Sequence, residues 1–508
     1  MEELVLNDGW KLREELLSVD KEKANIVAEK NEGWIKGTVP GDIHIDLIRE
    51  NIIAEPLEGF NSFDSDWIEK RSWWYYREFK TREEWRQADE IELELNGLDA
   101  MADIFFNKEL LGRHLSTFRP FTFDIKDLLY DKGENNYILV RVTPGLEHFS
   151  QNDISDVAPF VSEEKGDRGD KRRAYVRKPQ YSFGWDWNPR VPTCGITGKV
   201  KIKPLSKGVI RSVNVVTDLK DNNKRADLDF EINLESLDWI GTAEGKVNIK
   251  MTDEKGKVIE KYKDVFLRSG YNYINMSFTL DNPRLWWPNH MGDQHQYTIK
   301  ISGEIEGEEI KYPEFKYGVR TVELDQSKLN PEERLFAIKV NGVRTYSRGA
   351  NWIPADSIYG RITDEKYENL IKEASEANFN MLRIWGGGLY ERDCFYEYCN
   401  REGIMIWQDF MFSCGAYPDH EEWFAEEVKK EIDYQTKRLR NHSCIVLWSG
   451  SNENNWGFRD WWDEKTKGGA RIYNKIIPEI VNKNSPQIPY WNGSPYGGEA
   501  PNCAEIGD

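Results

Sequence analysis

The stretch IVLWSGSNEN, residues 445–454, decides the fold of the last part of the chain. Its apolar run predicts a short buried strand. The small residues 449–451 end that strand and leave Asn452 and Glu453 at its carboxyl end. In a (β/α) barrel the catalytic groups lie at this end of the strands. Glu453 is therefore a candidate acid or base, and a solvated loop glutamate is the alternative in a chain with 88 acidic residues.

Strands and helices alternate on both sides of that stretch, from about residue 335 onward. Residue spacing predicts strands at 345–351, 380–385, 404–408 and 443–448, an extended piece at 489–492, and helices at 364–378, 391–402, 421–441 and 470–482. Regular βα units favour a parallel sheet. The run GGG at 386–388 lacks the spacing of a phosphate-binding fingerprint and indicates a backbone that a ligand or side chain approaches closely.

The preceding residues are mostly strand. Period-two stretches such as 74–79 and 137–142, separated by turn residues, suit a β-sandwich over residues 1–200. Shorter segments with immunoglobulin-like spacing predict a second sandwich over 201–322, which leaves 323–508 for the α/β region. The charged, glycine-containing segment 153–173 predicts a mobile surface loop.

The α/β region is short for a closed barrel. Four βα units and the start of a fifth occupy about 170 residues, whereas a complete eightfold barrel needs about 250. We therefore expect either an open sheet or the front portion of a longer enzyme. Unpaired apolar flanks of such a parallel sheet are expected to aggregate unless they are covered.

Composition narrows the function classes. The net charge of −19 argues against nucleic acid and anionic membrane as partners. The residues at the amino terminus lack a signal-peptide pattern, no apolar run has the length of a membrane span, and six scattered cysteines indicate reduced thiols, so a cytoplasmic protein is expected. The 20 Trp, 23 Tyr and 22 Phe mostly indicate core packing, and some rings suit a sugar site.

Polar and aromatic side chains follow each predicted parallel strand. A carboxylate, amides, a guanidinium and indoles at one rim are typical of a sugar site. For Arg383 and Asp409 a structural ion pair is the alternative, and Trp448 is expected in the core. The candidates, in strand order, are Asn351 with Trp352, Arg383 with Trp385, Gln408 with Asp409, and Asn452 with Glu453.

These segments resemble a known family. The motifs GANWIP at 349–354, NMLRIWGGG at 380–388, GIMIWQDFMF at 403–412 and VLWSGSNEN at 446–454 are similar to glycoside hydrolase family 2, in its β-mannosidase branch. The resemblance extends to RKPQYSFGWDWNPRVPTCGI at 177–196, LWWPN at 285–289 and YGVRT at 317–321. The GWDWNP segment discriminates best, because many retaining glycosidases share the Asn–Glu motif.

The resemblance implies a galactose-binding-like β-sandwich, an immunoglobulin-like β-sandwich and an incomplete (β/α)8 (TIM) barrel. It implies an exo-acting, retaining β-mannosidase that removes terminal non-reducing β-D-mannose from a glycoside and needs no metal or cofactor. Glu453 would be the general acid/base, and Asn452 would bind the sugar 2-hydroxyl. Trp385 would form a wall of the terminal sugar subsite.

The first sandwich would also reach this subsite. Asp186 would bind hydroxyls of the non-reducing sugar, with Trp185 and Trp187 closing the pocket, and for Trp187 we favour edge packing instead. In the family the nucleophilic glutamate follows the seventh barrel strand, and we name no residue for it. The chain alone is therefore expected not to turn over, and its oligomeric state is not predicted.

Two other functions stay open. A sister exo-glycosidase of the same family would act on galactose, glucuronic acid or glucosamine instead, although the GWDWNP segment argues against it. A non-catalytic carbohydrate-binding protein would use the first sandwich as a sugar-binding module. The presence of the residues that the resemblance places in the active site argues against a purely binding role. They are Glu453, Asn452, Arg383 and Trp385.

Overall fold

The computed structural model describes residues 1–131, 133–150, 170–237, 241–462, 469–498, 500–503 and 505–508. Within these residues, two antiparallel β-sandwiches are followed by a parallel sheet covered by helices. Each region has its own buried apolar core. The order sandwich, sandwich, α/β agrees with the prediction from the sequence.

The first sandwich packs two antiparallel sheets face to face. Its strands and helices are β1 (Leu4–Val5), β2 (Trp10–Leu16), α1 (Ala24–Ala28), β3 (Ile35–Gly37), α2 (Ile43–Arg49), α3 (Asn61–Asp64), β4 (Arg71–Lys80), β5 (Glu90–Leu95), β6 (Met101–Phe106), β7 (Glu109–His114), β8 (Phe121–Asp124), β9 (Asn135–Thr143) and β10 (Val200–Leu205). One sheet has the order β1-β10-β5-β8 and the other β3-β2-β4-β9-β6-β7. Alternate residues of β9, Ile138, Val140 and Val142, enter the core, as the period-two pattern predicts.

The predicted surface loop at 153–173 lies mostly outside the described residues. Its described end is a 3₁₀ helix, Lys171–Tyr175, in which Arg173 and Tyr175 are buried. Within the predicted segment only Arg173 contradicts a surface loop, because Asp170, Lys171 and Arg172 are partly exposed. Arg173 can be buried because its guanidinium donates to the carbonyl oxygens of Phe183 and Gly184, each at 3.3 Å.

The second sandwich has long strands with strict alternation. Its strands are β11 (Gly208–Lys220), β12 (Arg225–Ser236), β13 (Thr242–Thr252), β14 (Val258–Arg268), β15 (Gly270–Asp281), β16 (Tyr297–Ile305), β17 (Glu308–Lys311) and β18 (Phe315–Tyr317). The sheet orders are β11-β12-β15 and β14-β13-β16-β17, with β18 also paired to β16. Leu228, Phe230 and Ile232 of β12 all face the core.

A small antiparallel sheet leads into the parallel one. It contains β19 (Val322–Asp325), β20 (Ala337–Val340) and β21 (Val343–Arg344). Trp286, in the extended stretch before it, is fully buried, and its indole donates to the carbonyl oxygen of Asn400 at 2.7 Å. This contact joins the second sandwich to the α/β region.

The parallel sheet runs in chain order, β22-β23-β24-β25-β26. Its elements are β22 (Gly349–Trp352), α4 (Asp364–Glu376), β23 (Met381–Ile384), α5 (Asp393–Glu402), β24 (Met405–Asp409), α6 (Glu422–Leu439), β25 (Ile445–Ser449), α7 (Asn454–Trp456), α8 (Ile477–Asn484) and β26 (Tyr490–Trp491). The predicted strands and helices are confirmed, with shifted ends. A π-helical turn at Ile472–Ile476 replaces the start of the predicted helix 470–482.

Local signals explain where these helices begin and end. Thr363 caps α4 by accepting a hydrogen bond from the amide of Lys366, and Gly403 ends α5 at a φ of +71°. Helix α6 buries Phe424, Val428 and Ile432, which recur every four residues. No helix of the described residues combines the length and apolarity that crossing a membrane requires.

Candidate active site

The Asn452–Glu453 pair lies at the carboxyl end of β25, as predicted. Asn452 joins parallel bridges to Ser413 on one side and Ser494 on the other, so the backbone of the pair is held from both sides. The amide of Glu453 donates to the carbonyl oxygen of Ser494 at 2.8 Å. Glu453 has a φ of +61°, a left-handed conformation that is strained for a side chain with a Cβ. Such strain is concentrated at functional sites.

The Glu453 carboxyl is half-buried and asymmetrically bonded. The thiol of Cys414 donates to Oε2 at 3.0 Å, and Nδ2 of Asn452 donates to the same oxygen at 3.3 Å. Among the described residues, both hydrogen bonds that reach this carboxyl end on Oε2. Oε1 is therefore available to give or accept a proton.

Arg383 and Asp409 form the ion pair that the sequence analysis set against substrate contact. Nη2 of Arg383 lies 2.7 Å from Oδ2 of Asp409, and the carboxylate is fully buried. Asp409 also accepts from the indole of Trp407 at 3.0 Å and from the amide of Gly386 at 3.1 Å. Burial raises the pKa of Asp409, and the positive charge of Arg383 opposes that rise.

The same guanidinium connects the pair to Asn452. Nη2 of Arg383 donates to Oδ1 of Asn452 at 3.0 Å, and Nη1 donates to Oδ1 of Asn351 at 3.3 Å. Arg383 thus brings together Asn351, Asp409 and Asn452, one polar side chain from each of the other strand ends. The predicted Gln408 is buried instead and accepts from the hydroxyl of Tyr396 at 2.6 Å. Because Oδ1 of Asn452 accepts from Arg383, its Nδ2 must be the donor directed at Ser413 and Glu453.

Trp385 meets the first sandwich. Its ring centroid lies 4.8 Å from that of Trp185 and 6.1 Å from that of Trp187, both in edge-to-face arrangements. A Cβ on Gly387 would lie 2.0 Å from the Trp385 ring, so the glycine run is confirmed as a place of close approach. Trp187 also stacks on Tyr181 at 5.2 Å, which agrees with the packing role we favoured for it.

Asp186 is exposed between these two tryptophans. Within the described residues its carboxylate makes no hydrogen bond or ion pair, in contrast to Asp409. A carboxylate between two indoles needs either a partner or contact with water, and Asp186 is exposed to solvent. Its role toward a sugar stays a prediction.

Trp352 is directed to a buried carboxyl. Its indole donates to Glu391 at 2.8 Å, and its ring packs on Phe395 at 4.8 Å. Glu391 also accepts from the hydroxyl of Tyr367 and is 1% exposed. Burial raises the pKa of Glu391 from 4.5 to about 7, and the two hydrogen bonds oppose the rise. Contact of Trp352 with substrate stays a prediction.

Sequence reasoning missed Cys414, Glu391 and a buried interdomain ion pair. Arg177 and Glu431 are both fully buried, with two hydrogen bonds of 2.9 and 2.7 Å. Arg177 precedes the GWDWNP segment and Glu431 lies on α6, so this pair holds the chain before that segment against α6. The sequence signal for this ion pair was a glutamate within the apolar spacing of α6.

In the described part of the chain, no three His, Cys, Asp or Glu side chains are grouped to hold a metal ion.

The parallel strands present an acid, amides and a cation beside indole rings, which is the set of groups that the sequence analysis predicted for a sugar site. Residues 10–198 match the glycosyl hydrolase 2 galactose-binding domain-like model, and residues 209–320 match the model of glycosyl hydrolases family 2. Together the matches cover more than half of the chain. The chain belongs to glycoside hydrolase family 2 and is a homologue of its β-mannosidases.

Individual relatives agree with this assignment. The chain is 32% identical to β-mannosidase of Capra hircus over 91% of its own length and 54% of the relative. It is 31% identical to β-mannosidase B of Emericella nidulans over 99% of its length and 59% of the relative. The structure of β-D-mannosidase from Dictyoglomus thermophilum matches all of this chain and 59% of that chain, with a TM-score of 0.90 and 36% identity. The chain thus spans little more than half the length of these relatives.

Proposed function

We propose that this chain carries the acid/base half of an exo-acting, retaining β-mannosidase that removes terminal non-reducing β-D-mannose. The observation that carries the proposal is the Glu453 carboxyl at the end of β25, with two donors on Oε2 and Oε1 available. The choice of mannose is supported by similarity to β-mannosidases across all three regions.

Hydrolysis with retention of the anomeric configuration requires two carboxyl groups about 5–5.5 Å apart. In the first step Glu453 transfers its proton to the glycosidic oxygen while the carbon–oxygen bond breaks and a nucleophilic carboxylate bonds to the anomeric carbon. In the second step Glu453 takes a proton from water, whose oxygen displaces the carboxylate. We assign no residue as this nucleophile.

Recognition would use the groups around Glu453. Nδ2 of Asn452 would turn toward the sugar 2-hydroxyl, while Arg383 retains Oδ1 of the same amide. The indoles of Trp385 and Trp185 would contact the apolar face of the mannose. Asp186 is exposed, and it would exchange its water for sugar hydroxyls on binding.

The test has a binding arm and a turnover arm. We expect the chain to bind a mannose-configured imidazole inhibitor in calorimetry, at least ten times more tightly than its galactose-configured counterpart. Trp385→Ala is expected to weaken binding at least tenfold. The control is Trp67→Ala, which removes a half-buried indole that packs against the core of the first sandwich. Preference for the galactose-configured compound, or no binding of either, would overturn the proposal.

Turnover tests the role of Glu453 separately. Any hydrolysis of an aryl β-D-mannoside by the chain is expected to disappear in Glu453→Gln. In Glu453→Ala, azide is expected to restore release of the aryl group. This anion attacks the anomeric carbon without a general base, displaces the nucleophilic carboxylate and leaves β-D-mannosyl azide as the product. Hydrolysis that persists in Glu453→Gln would remove Glu453 from the proposed role.

We also propose a reducing, cytoplasmic environment. All six cysteines are free, and Cys194, Cys399 and Cys444 are buried among apolar side chains. Cell fractionation of the source organism tests this proposal, and recovery of the protein outside the cytoplasm would contradict it.

A further inference from the structure

The thiol of Cys414 is part of the environment of Glu453. Its Sγ lies 3.0 Å from Oε2 of Glu453 and accepts a weaker contact from Nδ2 of Asn452 at 3.5 Å. Cys414 is 5% exposed. It follows the end of β24, one strand away from Glu453, so its approach depends on how the two strand ends are joined.

The backbone joins these strand ends rigidly. The amide of Asn452 donates to the carbonyl oxygen of Phe412 at 2.9 Å, and the amide of Cys414 donates to the carbonyl oxygen of Asn452 at 3.0 Å. Cys414 has a φ of +46° and Glu453 a φ of +61°. Two neighbouring non-glycine residues in the left-handed region indicate strain that the surrounding hydrogen bonds maintain. The contact is therefore built in by the backbone.

The thiol acts as the donor in this contact. Burial raises the pKa of Cys414 well above its ordinary value, and the negative charge of Glu453 raises it further. Among the described residues, the other titratable or charged groups near it are the Tyr417 hydroxyl, whose pKa burial raises to about 12, and Arg383, which contacts Asn452. Neither supplies a base that would remove the thiol proton near neutral pH.

We propose that Cys414 is a positioning residue that determines which oxygen of Glu453 carries the catalytic proton. Because Oε2 already accepts from the thiol and from Asn452, negative charge is favoured on Oε2 and the proton on Oε1. Oε1 is then the atom that protonates the glycosidic oxygen and later accepts a proton from water. This inference rests on the proposed function of Glu453.

The first experiment measures the contact without any glycosidase activity. Iodoacetamide labelling of Cys414, quantified on its peptide by mass spectrometry between pH 7 and 10, reports the thiolate fraction. In Glu453→Gln the negative charge is lost, so labelling at pH 8 is expected to rise about tenfold, as for a fall of one pKa unit. An unchanged labelling profile would overturn the contact.

A matched control is available at the surface. Cys503 also donates to a carboxylate at 3.0 Å, that of Glu505, which is exposed. Glu505→Gln should leave Cys414 labelling unchanged. An equal rise in both variants would mean that the effect is global loosening and would overturn the inference.

The second experiment tests the choice of oxygen. The ring nitrogen of a mannose-configured imidazole occupies the position of the glycosidic oxygen and accepts the proton of the acid. Cys414→Ala is expected to weaken its binding about tenfold, and Cys414→Ser, which retains a donor, by less than about threefold. Equal binding by Cys414→Ala and the unmodified chain, or equal weakening by Ala and Ser, would overturn the positioning role.

The two experiments separate this inference from the proposed function. If the unmodified chain does not bind the imidazole, the proposed function fails, and the inference about the proton fails with it. If it binds and Cys414→Ala binds equally well, only the inference fails. Labelling results hold in either case, because they depend only on the thiol and the carboxylate.

Discussion

The ends of the third and fourth parallel strands each present a carboxyl, and the two are bonded very differently. Asp409, at the end of β24, is fully buried and accepts from Arg383, the Trp407 indole and the Gly386 amide. Glu453, beyond β25, is half-buried and bonded on Oε2. A carboxylate whose oxygens are all occupied holds other groups in place. One that retains an available oxygen can react.

Removing the Asp409 carboxylate, both of whose oxygens accept hydrogen bonds, should have the largest effect on the free energy of unfolding. Asp409→Ala leaves the Arg383 guanidinium without its charge partner and is expected to lower the free energy of unfolding by about 3–5 kcal/mol. Urea unfolding followed by tryptophan fluorescence measures the loss. The control is Glu368→Ala, which removes an exposed partner of Arg401 and should cost less than about 1 kcal/mol. Equal losses in the two variants would contradict the distinction.

A third carboxyl, that of Glu391, sharpens the comparison between Asp409 and Glu453. It is buried like Asp409, but no cation among the described residues pairs with it. Its pKa rises from 4.5 to about 7, so the folded protein holds a proton that the unfolded chain releases. The resulting stability, about 3 kcal/mol, is complete below about pH 4.5 and is lost as pH rises through about 7. Glu391→Gln should therefore flatten the decline in unfolding free energy between pH 5 and 8, whereas Glu453→Gln should retain it.

A substitution with a smaller expected effect tests the hydrogen bond from Trp352, which opposes the rise in the pKa of Glu391. Trp352→Phe removes one donor to Glu391 and is expected to cost about 1–2 kcal/mol at pH 7. The pKa of Glu391 should also rise further, because a hydrogen bond that favours the charged form is lost. Unfolding free energies measured from pH 5 to 9 test both effects. A stability curve that matches that of the unmodified chain would show that the bond contributes nothing.

The smallest expected effect has the opposite sign. Glu453→Gly removes a side chain from a backbone at a φ of +61° and is expected to stabilise the chain by up to about 1 kcal/mol. Glu453→Gln retains the strain and should stay within about 0.5 kcal/mol of the unmodified chain. Thermal melting of both variants checks the order, and a clear loss in Glu453→Gly would show that the carboxyl contributes to folding.

The strands and helices of the parallel region could be predicted from the local spacing of apolar residues. Apolar spacing predicted α6, and small residues after β25 predicted where Glu453 would emerge. The side chains that contact Glu453 could not be predicted from the sequence, because they depend on which strands pair. Cys414 is 39 residues away in the chain, and Arg177 meets Glu431 across 254. Burial also separates roles that sequence cannot, since Asp186 and Asp409 differ mainly in their contact with water.

The Arg177–Glu431 pair has a consequence for how the polypeptide is made. Domains tend to fold in order of synthesis, so the ribosome delivers Arg177 and the closing strand β10 before α6 exists. Glu431 then emerges to meet Arg177, whose backbone is already paired with Ser116 of the first sandwich. Expressing the α/β region alone would leave that buried carboxylate without its cation, and the Tyr390 hydroxyl would be the donor that it keeps from its own region.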